Sequence, residues 1–225
     1  MNIVITGANR GLGLEFVAYY LQQEHRVWGC YRSNPGALSL LNNDALTLVN
    51  YDVTQDMDPA TCQYFPDKID LLINNAGVYG PDGQDGQSLD NITGTEMLSV
   101  FDINCVGALR AVQGLKDRII RAHGIIANIS SRMGSSADNS SGGCYAYRAS
   151  KAALVIVSKS MAVDLKGVGV RVITLHPGWV RTDMTNHHGE IDVNESVQGM
   201  CAVIDDIDQY EPGAFVAWDR EVLPY

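Results

Sequence analysis

Thr6-Gly7-Ala8-Asn9-Arg10-Gly11-Leu12-Gly13 is the stretch on which the fold turns. Directly before it stands the apolar, β-branched run Ile3-Val4-Ile5, and directly after it Leu14, Val17 and Leu21 recur on a helical period. The order is buried strand, glycine-rich turn, helix. Such a turn aims free backbone N–H groups and the positive end of a helix dipole at an anion. Its glycines let the backbone curl and come close to a phosphate that a side chain would hold off. Surface turns share this glycine content, so the flanking strand and helix carry the reading.

Working outward, apolar runs alternate with helical patterns along the chain. Arg26 to Tyr31, Ala45 to Tyr51 and Ile69 to Asn74 read as strands, as do Gly124 to Ile129, Val170 to Leu175 and Ala214 to Trp218. Such alternation predicts an α/β, three-layer αβα Rossmann fold, a doubly wound parallel sheet of about seven strands. Gly80 to Gly86 is a glycine- and aspartate-rich loop too short to divide domains, so residues 1–225 are expected to form a single domain. A long helical stretch from about Thr95 to His123 contains Asn104, Gly107 and Gly114 at weak helical positions. A second, from about Ala146 to Lys166, has an apolar middle, Ala152 to Val157, with no polar stripe. That implies a second packing partner, either another copy of the chain in a homodimer or homotetramer or loops of the same subunit.

Composition narrows the function classes. The chain has 225 residues, 46% of them hydrophobic, and a formal net charge of -10. That balance suits neither nucleic acid nor an anionic membrane surface. Cys30, Cys62, Cys105, Cys144 and Cys201 are far apart and form no metal pattern, so packed, reduced thiols and no metal site are expected. With no room for a signal peptide before the first strand and no apolar run of membrane length, the expectation is a cytoplasmic protein.

The chemistry-bearing residues come in two groups. Tyr147 and Lys151, four apart at the start of a helix, share a face. A lysine ammonium beside a phenol favours the phenolate and makes the tyrosine a usable proton donor and acceptor near neutrality. Ser130-Ser131 follows the strand Gly124 to Ile129, at the carboxyl end where open parallel sheets bind ligands, and a hydroxyl there can polarise a carbonyl. Each group alone fits an ordinary surface helix or turn as well.

In sequence order the chain carries Thr6-Gly7-x-x-x-Gly11-x-Gly13, Asp52-Val53, Asn74-Asn75-Ala76-Gly77 and Asn104. Ile129-Ser130-Ser131, Tyr147-x-x-x-Lys151 and Pro177-Gly178 follow. This set, spread over essentially the whole chain, resembles the classical short-chain dehydrogenase/reductase family. Ser131-Arg132-Met133-Gly134-Ser135, the Ser/Gly segment before Tyr147 and the short ending further resemble its C-factor/sniffer-type carbonyl reductase branch. The resemblance implies a catalytic set in which Tyr147 is the general acid/base and Lys151 lowers its pKa and holds the nicotinamide ribose. Ser131 (or Ser130) would polarise the substrate carbonyl. Asn104 would kink the long helix and hold a proton-relaying water. The cofactor would lie on Gly7, Asn9, Arg10, Gly11, Leu12 and Gly13. Asp52 and Val53 would take the adenine, and Asn75, Ala76 and Gly77 its ribose side. Pro177, Gly178, Val180 and Thr182 would take the nicotinamide carboxamide.

Cofactor choice has a physical argument. NAD-linked sheets place a carboxylate at the end of the second strand, whereas this chain has Cys30-Tyr31-Arg32-Ser33 there. Arg32, with Arg10 assisting, suits a 2′-phosphate, so NADP(H) is expected rather than NAD(H). The Asn139 to Cys144 segment is expected to bulge at the pocket mouth, with a short lid after Met184 and Trp179, Tyr145, Met133 and Tyr79 as wall residues. The reaction implied is NADPH-dependent reduction of a small carbonyl compound. A dinucleotide-binding signalling or sensor protein and an NAD-linked alcohol dehydrogenase are the alternatives.

Overall fold

The computed structural model describes residues 1–81 and 85–225. β1 (Asn2–Ile5) runs through the glycine turn into α1 (Gly11–Gln22) and back to β2 (Arg26–Tyr31). β3 (Leu46–Asn50), the short helix α2 (Pro59–Cys62) and β4 (Leu71–Asn74) follow. Next come α3 (Gly94–Phe101), a π turn (Asp102–Val106) and α4 (Gly107–Ala122), helical throughout. β5 (Ile125–Ile129), α5 (Tyr145–Leu165), β6 (Arg171–His176), α6 (Val193–Asp205) and β7 (Phe215–Ala217) complete the order. The seven strands pair in parallel in the order β3-β2-β1-β4-β5-β6-β7. This is the doubly wound Rossmann sheet expected from the alternation of runs.

Period-two alternation divides the core into two layers. Ile3, Ile5, Ile73 and Leu175 face α1 and α6, where Phe16, Val17, Met200 and Ile204 meet them. Val4, Leu72, Ile126 and Val172 face the other side, with Leu115 and Ile119 of α4 and Met161 of α5. Strands buried on both faces explain the near-continuous apolar runs. The strand order reverses at β1, which lies between β2 and β4, so the crevice at the carboxyl ends of β1 and β4 is the topological switch point.

Two expectations shift, on α1 and at the Asn139 to Cys144 segment. The inner face of α1 is Gly13, Phe16, Val17 and Tyr20, while Leu14 and Leu21 lie half-buried on its flank. Phe16 and Tyr20 are buried in the same layer as Ile3, Ile5 and Ile73. The long helical stretch is one run with a π turn around Asn104, and Val53 and Met57 pack onto Gly107 and Gly114, where a Cβ would stand 2.9 and 2.7 Å from them. The Asn139 to Cys144 segment does not contribute to the wall of the cavity at the switch point, and the chain just before it is tied to the last residue: Ala137 N and Ser136 Oγ donate to the Tyr225 main-chain oxygen at 3.2 and 3.1 Å. Of the loop Gly80 to Gly86, residues 82–84 lie outside the described residues. No helix among the described residues is long and apolar enough to cross a membrane.

Candidate active site

A cavity of about 290 Å³ opens at the switch point. The glycine turn contributes Gly7, Asn9, Arg10, Gly11 and Leu12 to its wall. Gly7 has φ +62°, and a Cβ there would come within 2.8 Å of Ala76 Cα, so only glycine gives this bare, close-set backbone. Asn75 locks the turn to the end of β4: its Nδ2 donates to the Thr6 and Gly7 carbonyls, each at 3.0 Å. The Asn75 and Ala76 amides donate to Thr6 Oγ1 at 3.0 and 3.1 Å.

After β2 the wall is Arg32, Ser33 and Asn34, and after β3 it includes Asp52 and Val53. Asp52 Oδ1 accepts from both the amide and the hydroxyl of Thr54, at 3.0 and 2.9 Å. Arg10 Nη1 pairs with Asp183 Oδ2 at 3.3 Å, an exposed contact across the cavity mouth that sequence spacing had no means of revealing. Pro177, Thr182, Asp183 and Met184 close the far side.

Tyr147 and Lys151 line the same cavity from the first turns of α5, both buried. Lys151 Nζ donates to the Ile129 carbonyl at 2.9 Å and stands 5.7 Å from the centroid of the Tyr147 ring. Burial, partly offset by Cys105, lowers the Lys151 pKa to about 8. Burial raises that of Tyr147 to about 12, against a hydrogen bond from Ser131 that lowers it. The expected phenolate near neutrality is therefore not what these protein groups set up. The lysine proton is directed at a carbonyl, and desolvation of the phenol is the largest effect on it.

The two serines separate clearly. Ser130 lines the cavity and its Oγ donates to the Lys151 carbonyl at 2.9 Å, whereas Ser131 Oγ accepts from the Met133 amide at 3.2 Å. Asn104, buried in the π turn, accepts from the Val78 amide at 2.8 Å and donates to the Val78 carbonyl and to Ser150 Oγ at 2.9 and 3.0 Å. Ser150 Oγ in turn donates to the Tyr147 carbonyl at 2.8 Å. The Asn104 side chain thus ties Val78, in the loop after β4, to α5, with both Nδ2 protons used. A π turn at a functional site is a recurring device.

Several expected contacts do not reach the cavity wall. Asn104 and Ser131 are not on that wall, whereas Ser130 is. Gly13 is buried under the turn, where a Cβ would come 2.2 Å from the Gly7 carbonyl oxygen, so its role is close helix packing. Gly178 packs on Ile191 and Trp218, and Val180 is buried beside Ile191. Asn75, Ala76 and Gly77 do line the cavity, and a Cβ at Gly77 would stand 3.2 Å from Asn104 Oδ1 and 3.4 Å from Lys151 Nζ. Trp179, Tyr145 and Met133 do not line the cavity. Tyr79 stacks on Tyr147 with ring centroids 4.9 Å apart. Gln87, which no spacing in the sequence singled out, is fully buried against both tyrosines.

With this geometry in place, comparison with known proteins is direct. The family model for short chain dehydrogenase matches residues 1–192. C-signal of Myxococcus xanthus is 39% identical over 161 residues, which span 70% of this chain and 93% of that protein. The NADPH-bound carbonyl reductase from chicken fatty liver superposes with a TM-score of 0.87 at 29% identity, covering 100% of this chain and 98% of that one. The carbonyl reductase Sniffer of D. melanogaster superposes with a TM-score of 0.89 at 28% identity, covering 100% and 99%. The family model spans residues 1–192, more than half of the chain, and the chain belongs to the short-chain dehydrogenase family.

Proposed function

We propose that this chain is an NADP(H)-dependent reductase of small carbonyl compounds, in a single domain over residues 1–225. The observation that carries the reading is the pairing of Tyr147 and Lys151, flanked by the serines after β5, at the inner end of a cavity whose outer end is a glycine turn and two arginines. That cavity fits a phosphorylated dinucleotide: Gly7 keeps the backbone bare, and the wall after β2 offers Arg32, Ser33 and Asn34 and no carboxylate. The similar carbonyl reductases from chicken fatty liver, with NADPH bound, and from Pseudomonas aeruginosa PAO1, in complex with NADP, add support.

On this reading Gly7, Asn9, Gly11 and Leu12 hold the pyrophosphate, and Arg32 and Arg10 the 2′-phosphate. Asp52 and Val53 hold the adenine, and Pro177 and Thr182 the nicotinamide end. The nicotinamide, when bound, supplies a hydride to the carbonyl carbon. Tyr147 Oη donates the proton that the carbonyl oxygen takes up, Ser131 Oγ holds that oxygen in line, and Lys151 favours release of the phenol proton by its charge. Exposed Leu98 on α3 and Ile156 and Val163 on α5 support self-association as a homodimer or homotetramer. A medium of reduced thiols, as in cytoplasm, suits the free cysteines.

The test is NADPH oxidation against a panel of aldehydes, ketones and quinones. Turnover with several members is expected, and silence across the panel contradicts the proposal. The 39% identity with C-signal favours a second reading, a dinucleotide-binding signalling protein. On that reading Tyr147→Phe leaves the biological effect intact while removing turnover; on the first it removes both.

A further inference from the structure

α5 begins without the usual device for its free amides. Its N-cap is Cys144, in the left-handed region at φ +50°, and no side chain of the cap residue accepts a hydrogen bond. The first helical bond runs from the Arg148 amide to the Cys144 carbonyl at 2.9 Å, so the Tyr147 amide is the last one left over. It donates instead to Gln87 Oε1 at 2.9 Å, a side chain sixty residues away in sequence and fully buried. The other end of the same amide group donates, from Nε2, to the Tyr79 carbonyl at 2.8 Å. Tyr79 in turn stacks on Tyr147 at 4.9 Å and holds its hydroxyl 2.9 Å from Cys144 Sγ.

We infer that Gln87 is a positioning residue for Tyr147: it caps α5 from outside the helix and fixes, through Tyr79, the ring against which the Tyr147 phenol rests. A carboxamide suits this place because one end must accept from an amide while the other donates to a carbonyl. Burial makes both bonds consequential, since either partner left alone is an unsatisfied polar group in the core. Misplacing a reacting group by about 1 Å costs up to about 10²-fold in rate, so control of the helix start is control of the chemistry.

The inference rests on the reductase reading, and wild-type turnover on the carbonyl panel tests that reading before any variant is made. Gln87→Met keeps the side chain's length and removes both bonds. With NADPH and a carbonyl compound that the wild type reduces, its kcat should fall at least about fivefold while KM and Kd for NADPH stay within about twofold. Amide hydrogen exchange across residues 145–148 should quicken by at least about fivefold, with the rest of α5 unchanged. Gln87→Glu keeps the acceptor facing the Tyr147 amide and should retain at least about twice the kcat of Gln87→Met. A smaller fall in Gln87→Met, unchanged exchange, or a Gln87→Glu no better than Gln87→Met overturns the inference. Should Gln87→Met lose NADPH binding altogether, Gln87→Glu decides: kcat within about fivefold of wild type supports the role, and a lower value overturns it.

Discussion

Lys151 Nζ lies 5.7 Å from the centroid of the Tyr147 ring, close enough to act on the phenol and yet bonded elsewhere, to the Ile129 carbonyl at 2.9 Å. Burial holds the lysine down to about 8, so its charge is present below that pH and lost above it. Loss of the ammonium makes Tyr147 a weaker acid, because the phenolate left behind loses its neighbouring charge. The rate of carbonyl reduction should therefore decline as pH rises through about 8. Lys151→Met should be slower at all pH values and lack this limb. A pH–rate profile of the two proteins checks the sign, and an identical limb in the variant assigns the titration to another group.

Ser130 and Ser131 differ in what their hydroxyls are free to do. Ser131→Ala should lower kcat about 10²-fold, the size of effect seen when one donor to a developing oxyanion is removed. Ser130→Ala removes a buried bond to the Lys151 carbonyl and should cost about 1 kcal/mol of stability with kcat little changed. Thermal melts beside steady-state kinetics separate the two, and the reverse pattern moves the carbonyl-polarising role to Ser130.

Arg32→Asp should weaken NADPH by at least about tenfold and improve NADH, because a carboxylate repels a 2′-phosphate and accepts from a 2′-hydroxyl. Arg10→Ala should have the smaller effect, since its guanidinium is exposed and shared with Asp183 at 3.3 Å. The ratio of kcat/KM for the two nucleotides is the readout. An unchanged ratio in Arg32→Asp contradicts the assignment.

Gly13→Ala places a methyl 2.2 Å from the Gly7 carbonyl oxygen and 2.6 Å from Asn75 Nδ2, both fixed by the turn. Stability should fall by about 1–3 kcal/mol, with dinucleotide affinity falling alongside. Gly94→Ala, at the start of α3 with nothing within 4 Å of the new Cβ, is the matched control and should be neutral or slightly stabilising. Denaturant midpoints for the pair check this, and equal effects would remove the packing argument.

The sequence made legible whatever depends on local period and short spacing. The apolar runs became the seven strands in a parallel sheet, and the four-residue step from Tyr147 to Lys151 put both side chains into one cavity. What lay hidden was long-range side-chain choice. Lys151 bonds a strand carbonyl twenty-two positions away, Arg10 finds Asp183, and Gln87 reaches Tyr147, none of which leaves a periodic trace. The inner face of α1 was misread for a related reason. Phe16 and Tyr20 fill that face beside Gly13, and an apolar period alone does not separate them from Leu14 and Leu21. Near the end of the chain Glu221 pairs with Arg132, next to Ser131, and Arg220 pairs with Asp206 at 2.8 Å.

Tyr147→Phe bears most directly on the central claim, because it deletes one oxygen and leaves the ring stacked on Tyr79. Measured as NADPH oxidation with a carbonyl compound that the wild type reduces, its kcat should fall at least about 10²-fold while the Kd for NADPH holds within about twofold. A variant that turns over at the wild-type rate with NADPH bound as tightly would contradict Tyr147 as the proton donor.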